Sequence, residues 1–167
     1  TAKLMYIVSI VSARKSIYLN SAYFVPDSDT IRAFEGAVRR GVDVRVIVPG
    51  ENMDVPIVRQ ASRYQYSQLL RRGVRIFEYL PTMMHAKTMV VDGIWTSIGS
   101  SNFDDRSFRL NDEVNVNIYD ETIAAQMETM FFEDLARSHE ITRRTWKKRS
   151  WMERVKQKVA GWFREQL

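Results

Sequence analysis

The chain has 167 residues, 45% of them apolar and 27% charged, which is enough for one domain with a buried core and too apolar for a disordered segment. It holds no cysteine, excluding disulfide bonds and thiolate metal sites, and no apolar run of the ~18 residues needed to span a bilayer. The net charge of +5 is uneven: from Arg137 onward ten Lys or Arg face three Asp or Glu, a surplus of +7.

Leu4, Ile7, Val8 and Val11 recur on one helical face, which predicts a helix over 2–15. "SIYLNSAYF" (16–24) reads as a strand, closed by Pro26. Asp27 or Ser28 then caps a helix that runs to Arg40 and stops at Gly41. "VDVRVIV" (42–48) alternates and then runs apolar, as a covered parallel strand does. After the loop "PGENMDVP" come a helix over 56–72, ended by Gly73, and the strand "VRIFEYL" (74–80). This alternation predicts an α/β fold with a mixed, mostly parallel β-sheet sandwiched between helices.

The rhythm then changes. "HAKTMVV" and "IWTSIGS" flank Asp92-Gly93, the signature of a two-residue hairpin turn. "EVNVNIY" (113–119) is an alternating strand, "ETIAAQMETMFFEDLARSHE" a helix, and 140–167 one or two more helices. The expected organisation is a catalytic unit over 1–138 and a basic amphipathic helical tail over 139–167.

The hairpin carries the chemistry. A two-residue turn sets Lys87 opposite Ile98 and His85 opposite Ser100. His85, Lys87, Ser100 and, if the strand continues, Asn102 would then share one face. A phosphodiester is anionic and repels nucleophiles, so its oxygens must be neutralised. Lys87 supplies charge, and Ser100 and Asn102 supply neutral donors. A neutral imidazole such as His85 can attack phosphorus and form a covalent phosphohistidine. A carboxylate on its other ring nitrogen would orient it, and Glu113, on the polar face of 113–119, is the candidate. Asp92 reads as a turn residue. A single histidine is usually structural and a single lysine merely solvated; the full spacing His-x-Lys-x4-Asp-x6-Gly-Ser-x-Asn argues for a site.

These residues, His85, Lys87, Asp92, Gly99, Ser100 and Asn102, resemble the HKD motif of the phospholipase D superfamily. The likeness extends through "NSAYFVPDSDTIRAF", "GVRIFEYLPTMMHAKTMVVDG" and "GSSNFDDRSFRLNDEVNVNIYD", which are similar to the C-terminal half of bacterial cardiolipin synthases. The resemblance implies a sheet between helical layers and a catalytic set of His85, Lys87, Asp92 and Glu113. It also implies phosphate binding by Lys87, Ser100 and Asn102. No metal and no other cofactor is implied.

The family's site takes one motif from each of two halves, one histidine as nucleophile and the other as general acid. This chain has one motif. His139, in "RSHEIT", lacks the following lysine and reads as a surface helix residue. The chain opens on Thr1 inside an apolar run, so it is expected to be the C-terminal half of a longer enzyme; the alternative is a homodimer of single-motif chains.

The resemblance implies a phosphatidyltransferase of the cardiolipin synthase type acting on a phospholipid, ideally phosphatidylglycerol, at a bacterial inner membrane. The alternatives are a phospholipase D hydrolase, a metal-independent homodimeric nuclease, or a membrane-binding half-domain without turnover of its own. In the tail, Trp151, Val155, Val159 and Trp162 or Phe163 recur about one turn apart among Lys and Arg. That stripe suits an anionic membrane surface or packing onto the domain; nucleic acid fits it less well. Asp54, Arg59, Arg63 and Tyr64 follow a parallel strand, where ligands commonly bind. Arg106 and Ser107 could brace the motif, and Met83 and Met84 could face lipid or fill the core.

Overall fold

The computed structural model describes residues 2–162. Helix α1 (Ala2–Ser12), strand β1 (Ser16–Ser21), α2 (Ser28–Arg39), β2 (Asp43–Pro49), α3 (Pro56–Arg71) and β3 (Arg75–Tyr79) follow the expected order. Asp27 caps α2 by accepting the Thr30 N–H at 2.9 Å. Strands β1, β2 and β3 pair in parallel, with Ile17 beside Val44 and Val46 beside Ile76.

Strands β4 (Lys87–Val91), β5 (Trp95–Gly99) and β6 (Asn115–Tyr119) extend the sheet antiparallel from β1, with the short α4 (Asp105–Arg109) between β5 and β6. After α5 (Glu121–Ala136), β7 (Ser138–Ile141) adds antiparallel to β3, giving the order β6-β5-β4-β1-β2-β3-β7. The sheet is therefore mixed, but not mostly parallel: only β1, β2 and β3 pair in parallel. Parallel neighbours need a long crossover, and the chain supplies helical crossovers only between β1, β2 and β3.

Alternation along the strands sorts side chains to two layers. Ile17, Leu19, Val44, Val46 and Ile76 pack with Ile10 of α1, Phe34 of α2 and Leu69 of α3. Ile47 and Phe77 point the other way, into a cluster with Phe131 of α5.

Strand β7 corrects two expectations. The helix expected to run to Glu140 ends at Ala136, and His139 lies on a strand, paired with Glu78 of β3. The boundary expected between 138 and 139 therefore falls inside the sheet. The pull is tertiary: β3 would otherwise leave an unpaired edge, and Ile141 is buried against the main core. Beyond it, α6 (Arg143–Lys147) buries Trp146, whose indole N–H donates to Ser67 Oγ at 2.8 Å, and α7 (Trp151–Trp162) lies along α3. Among the described residues no helix is long and apolar enough to cross a membrane.

The β4–β5 hairpin differs from the expected two-residue turn. Val91 pairs with Trp95 and Thr88 with Ile98, so Asp92, Gly93 and Ile94 form a three-residue loop. Asp92 and Gly93 both have positive φ, at 56° and 67°. A one-residue shift reverses every face of β5 relative to β4. Ser97 and Gly99, not Ile98 and Ser100, thus share the side of Lys87.

The cause is the other task of Asp92. Its carboxylate accepts backbone N–H groups from Arg14 (2.9 Å), Lys15 (2.7 Å) and Ser16 (3.0 Å), tying the turn to the entry of β1. Burial pushes its pKa up, but these three donors outweigh it and hold the carboxyl below the usual range. A depressed pKa stabilises the fold above the unfolded value and is lost as pH falls through the native one. Asp92→Ala is expected to cost about 2 kcal/mol in urea denaturation. In acid titrations the original chain should lose stability below about pH 4 more steeply than Asp92→Asn does.

Candidate active site

The site forms where β1 ends and β4 begins. Segment 23–25 is laced to 102–103: Val25 N–H donates to Phe103 O at 2.8 Å and Phe103 N–H to Tyr23 O at 3.1 Å. Antiparallel pairing sets Ser21 of β1 opposite Lys87 of β4. Tyr23, His85, Lys87 and Asn102, far apart in sequence, thereby meet at one end of the sheet.

The Lys87 ammonium lies 3.0 Å from His85 Nδ1 and 3.3 Å from Nε2, and it also donates to the His85 carbonyl at 3.0 Å. Tyr23 presents its ring at right angles to the His85 imidazole, centroids 6.1 Å apart. Its hydroxyl donates to Asp54 at 2.7 Å; burial and then this carboxylate push the phenol up to about 12. Burial lowers the Lys87 pKa, while the nearby charges of Glu113, Asp54 and Asp104 oppose that shift. One ammonium thus sits beside an imidazole, with three carboxylates in its field.

Asn102 is buried and fixed from two sides. Its Oδ1 accepts the Tyr23 N–H at 3.1 Å, and its own N–H donates to Ser107 Oγ at 3.1 Å. Among the described residues its Nδ2 makes no hydrogen bond, leaving a donor that an anion can use. Ser107 in turn donates its N–H to Asp104 at 2.7 Å, the cap of α4, so it braces the motif as expected.

Other expected residues fall elsewhere. Glu113 accepts hydrogen bonds from Ser100 Oγ and from Asn111 (3.3 Å), and makes none to His85. Burial raises its pKa, but Ser100, Ser107, Asn111 and the Lys87 charge together leave it lowered. Ser100 is committed to that pair and to the Val114 backbone, with Val114 N–H donating to its Oγ at 3.0 Å. Asp92 is at the far end of β4, roughly 15 Å from Lys87 at strand rise. Its place is the β1 clamp described above. Asp54 reaches the site through Tyr23. Arg59 and Arg63 instead hold Glu78, at 3.2 and 2.5 Å, and Tyr64 lines a groove between α3 and α7. Met83 is exposed and Met84 buried.

Tyr23 and Asn111 were not legible as site residues. Tyr23 sits in an apolar strand-like run, and only the closure of 23–25 onto 102–103 gives it a role. No group of three His, Asp or Glu side chains suited to a metal occurs among the described residues.

Comparison with known proteins places the chain in a family. Residues 6–135 match the family described as "Cardiolipin synthase, PLD-like domain". The cardiolipin synthase of Listeria welshimeri is 41% identical over 155 residues, covering 93% of this chain and 32% of that protein. Cardiolipin synthase A of Proteus mirabilis is 40% identical over 157 residues, covering 94% and 32%. The chain therefore spans about a third of the length of these curated relatives. Among solved structures, the phospholipase D family member Nuc of Salmonella typhimurium aligns with a TM-score of 0.73 at 20% identity, over 85% of this chain and 91% of Nuc. Phosphatidylserine synthase of Haemophilus influenzae aligns at 0.76 and 14%, over 97% and 42%. The chain belongs to the cardiolipin synthase, phospholipase D-like family.

The motif glycine has a steric reason to be there. A Cβ on Gly99 would collide with Asn115 Oδ1 and the Val114 carbonyl of the neighbouring segment. Gly99→Ala is expected to push β6 outward, loosen Ser100 and Glu113, and cost about 1–3 kcal/mol by urea denaturation. Unchanged stability would show that the β5–β6 contact gives way freely.

Proposed function

We propose that this member of the family supplies one half of a phosphatidyltransferase site, acting on phospholipid phosphodiesters through a phosphohistidine. The observation that carries the reading is the His85–Lys87 pair, with Lys87 Nζ 3.0 Å from the imidazole, beside Asn102, whose Nδ2 makes no hydrogen bond among the described residues. Lys87 and Asn102 take the non-bridging oxygens, and Tyr23 with Asp54 limits the motion of the ring.

His85 is one of two histidines that flank the phosphorus. One attacks through a ring nitrogen, forming a P–N bond as the P–O bond to the head-group alcohol breaks. The other gives that leaving oxygen its proton. In the second displacement an acceptor hydroxyl loses its proton to the same acid–base histidine and attacks phosphorus, breaking the P–N bond. With phosphatidylglycerol as donor and acceptor, the products are cardiolipin and glycerol; with water as acceptor, phosphatidic acid. Glu113 acts at one remove, holding Ser100 and sharing the field of Lys87.

The second histidine comes from another motif-bearing half, in the same longer chain or in a second copy. Exposed apolar side chains flanking the Asn111–Glu113 contact support this: Leu110 and Val114 are about three-quarters exposed. We place the working protein at an anionic bacterial inner membrane, where the lipid is. Residues 2–141 would form the catalytic half-domain and α6–α7 its appendage.

The test is phosphatidylglycerol vesicles in chelator, incubated with the chain alone and with a separately prepared half carrying the other motif. Cardiolipin and glycerol should form, and His85→Ala should lower the rate at least ~10³-fold. Turnover undiminished in His85→Ala would overturn the assignment.

A further inference from the structure

Helix α7 is amphipathic, and it turns its small and polar side, not its apolar stripe, to the domain. Its buried face is small and polar: Gln157 is 2% exposed, and Ala160 packs with Val58 and Ala61 of α3. The apolar stripe faces outward. Trp151 is 72% exposed, Met152 57%, Val155 50% and Val159 49%. A packing explanation for the stripe is therefore gone, and four large apolar side chains on one helical face stand in solvent.

Cations edge that face. Arg154 follows Trp151 by three residues and Lys158 follows Val155 by three, so each adjoins the stripe. Both also line a groove of about 280 Å³ between α3 and α7, together with Arg71 and Arg149. No carboxylate lines it among the described residues; the other walls are Tyr64, Ser67 and three glutamines. Burial and then the neighbouring Arg154 and Arg63 depress the Arg149 pKa, and the Glu153 charge opposes them. Gln157, on the groove wall, has a buried Nε2 with no hydrogen-bond partner among the described residues. The groove is built for an anion, at the margin of an apolar face.

We propose that α7 is an interfacial helix that seats the protein on an anionic phospholipid bilayer. Trp151, Met152, Val155 and Val159 enter the boundary between head groups and acyl chains. Arg71, Arg149, Arg154 and Lys158 hold the phosphate of a lipid that is not the substrate. Charge complementarity selects this occupant: an apolar stripe bordered by cations matches an anionic bilayer, whereas a second copy would bring the same cations against themselves. The helix ends beside the catalytic rim. Ala160 belongs to the same apolar cluster as Tyr23, Met53 and Val55, which flank Asp54 and His85. Seating α7 on the bilayer thus brings the site to a substrate that does not leave it. The proposal deepens the lipid reading of the site, and binding can be measured without turnover.

The experiment is co-sedimentation of the 167-residue chain with vesicles of phosphatidylglycerol and phosphatidylcholine, and with phosphatidylcholine alone. His85→Ala, the pair Val155→Asp/Val159→Asp and the pair Arg154→Glu/Lys158→Glu run beside it. All four changed α7 positions are exposed, and circular dichroism with thermal melting checks that each variant folds. The original chain and His85→Ala should bind anionic vesicles at least tenfold more tightly than neutral ones. Each α7 pair should lose tenfold or more, and short-chain soluble phosphatidylglycerol should broaden the Arg side-chain NMR signals where inorganic phosphate at equal concentration does not. Anionic vesicle binding that is absent, or unchanged in both α7 pairs, overturns the proposal. So does a dimer in light scattering that Val155→Asp/Val159→Asp dissolves, or binding to DNA in place of vesicles. Because His85→Ala is expected to bind normally, loss of turnover and loss of seating are read separately.

Discussion

The lateral register of β4 against β1 is the constraint on which the site depends. It is held at one end by the Asp92 carboxylate, which gathers three backbone N–H groups from Arg14–Ser16. At the other end it sets Ser21 opposite Lys87. Side chains alternate along a strand, so a slip of one residue would carry Lys87, and His85 with it, to the α5 face, away from Tyr23 and Asn102. The motif's aspartate and its histidine are thus the two ends of one device. The first sets the position of the strand, and the second uses it.

Electrostatics explain how the cluster holds together. Lys87 is partly desolvated beside an imidazole, which disfavours its charge, and Glu113, Asp54 and Asp104 offset that penalty through space. None of the three makes a hydrogen bond to the ammonium: Asp54 is engaged by Tyr23, Asp104 by Ser107, and Glu113 by Ser100 and Asn111. The lysine can therefore turn to a phosphate without breaking an ion pair. Preorganisation of this kind costs stability in the free protein and returns it when an anion binds.

The molecule presents two apolar surfaces at opposite margins of the sheet. One is the β5–β6 edge with Ile98, Val114 and Val116; the other is the outer face of α7. They differ in what surrounds them. The first reaches the Ser100–Val114 contact and, on the proposed reading, suits a protein half that completes the site. The second is bordered by Arg154 and Lys158 and suits lipid. On the proposed reading, a domain that works on a bilayer beside a second motif leaves both uncovered.

The order of elements up to β3 was legible, because helix and strand periodicities, Pro26 and Gly41 and Gly73 are local signals. So was the pairing of His85 with Lys87, since alternate residues on a strand share a face whatever the register. The polar face of Glu113, Asn115 and Asn117 followed for the same reason. What the sequence could not decide was everything set by contacts between distant segments. The three-residue hairpin loop was hidden, because Asp92-Gly93 fits a two-residue turn equally well until Arg14–Ser16 claims the carboxylate. Strand β7 was hidden inside a helical pattern, since pairing with the edge of β3 outweighs local propensity. Tyr23 joined the site only through the lacing of 23–25 to 102–103. The outward turn of the Trp151–Val159 stripe was decided last, by the fit of Gln157 and Ala160 against α3. Periodicity shows that a helix has two faces; only packing chooses which one meets the protein.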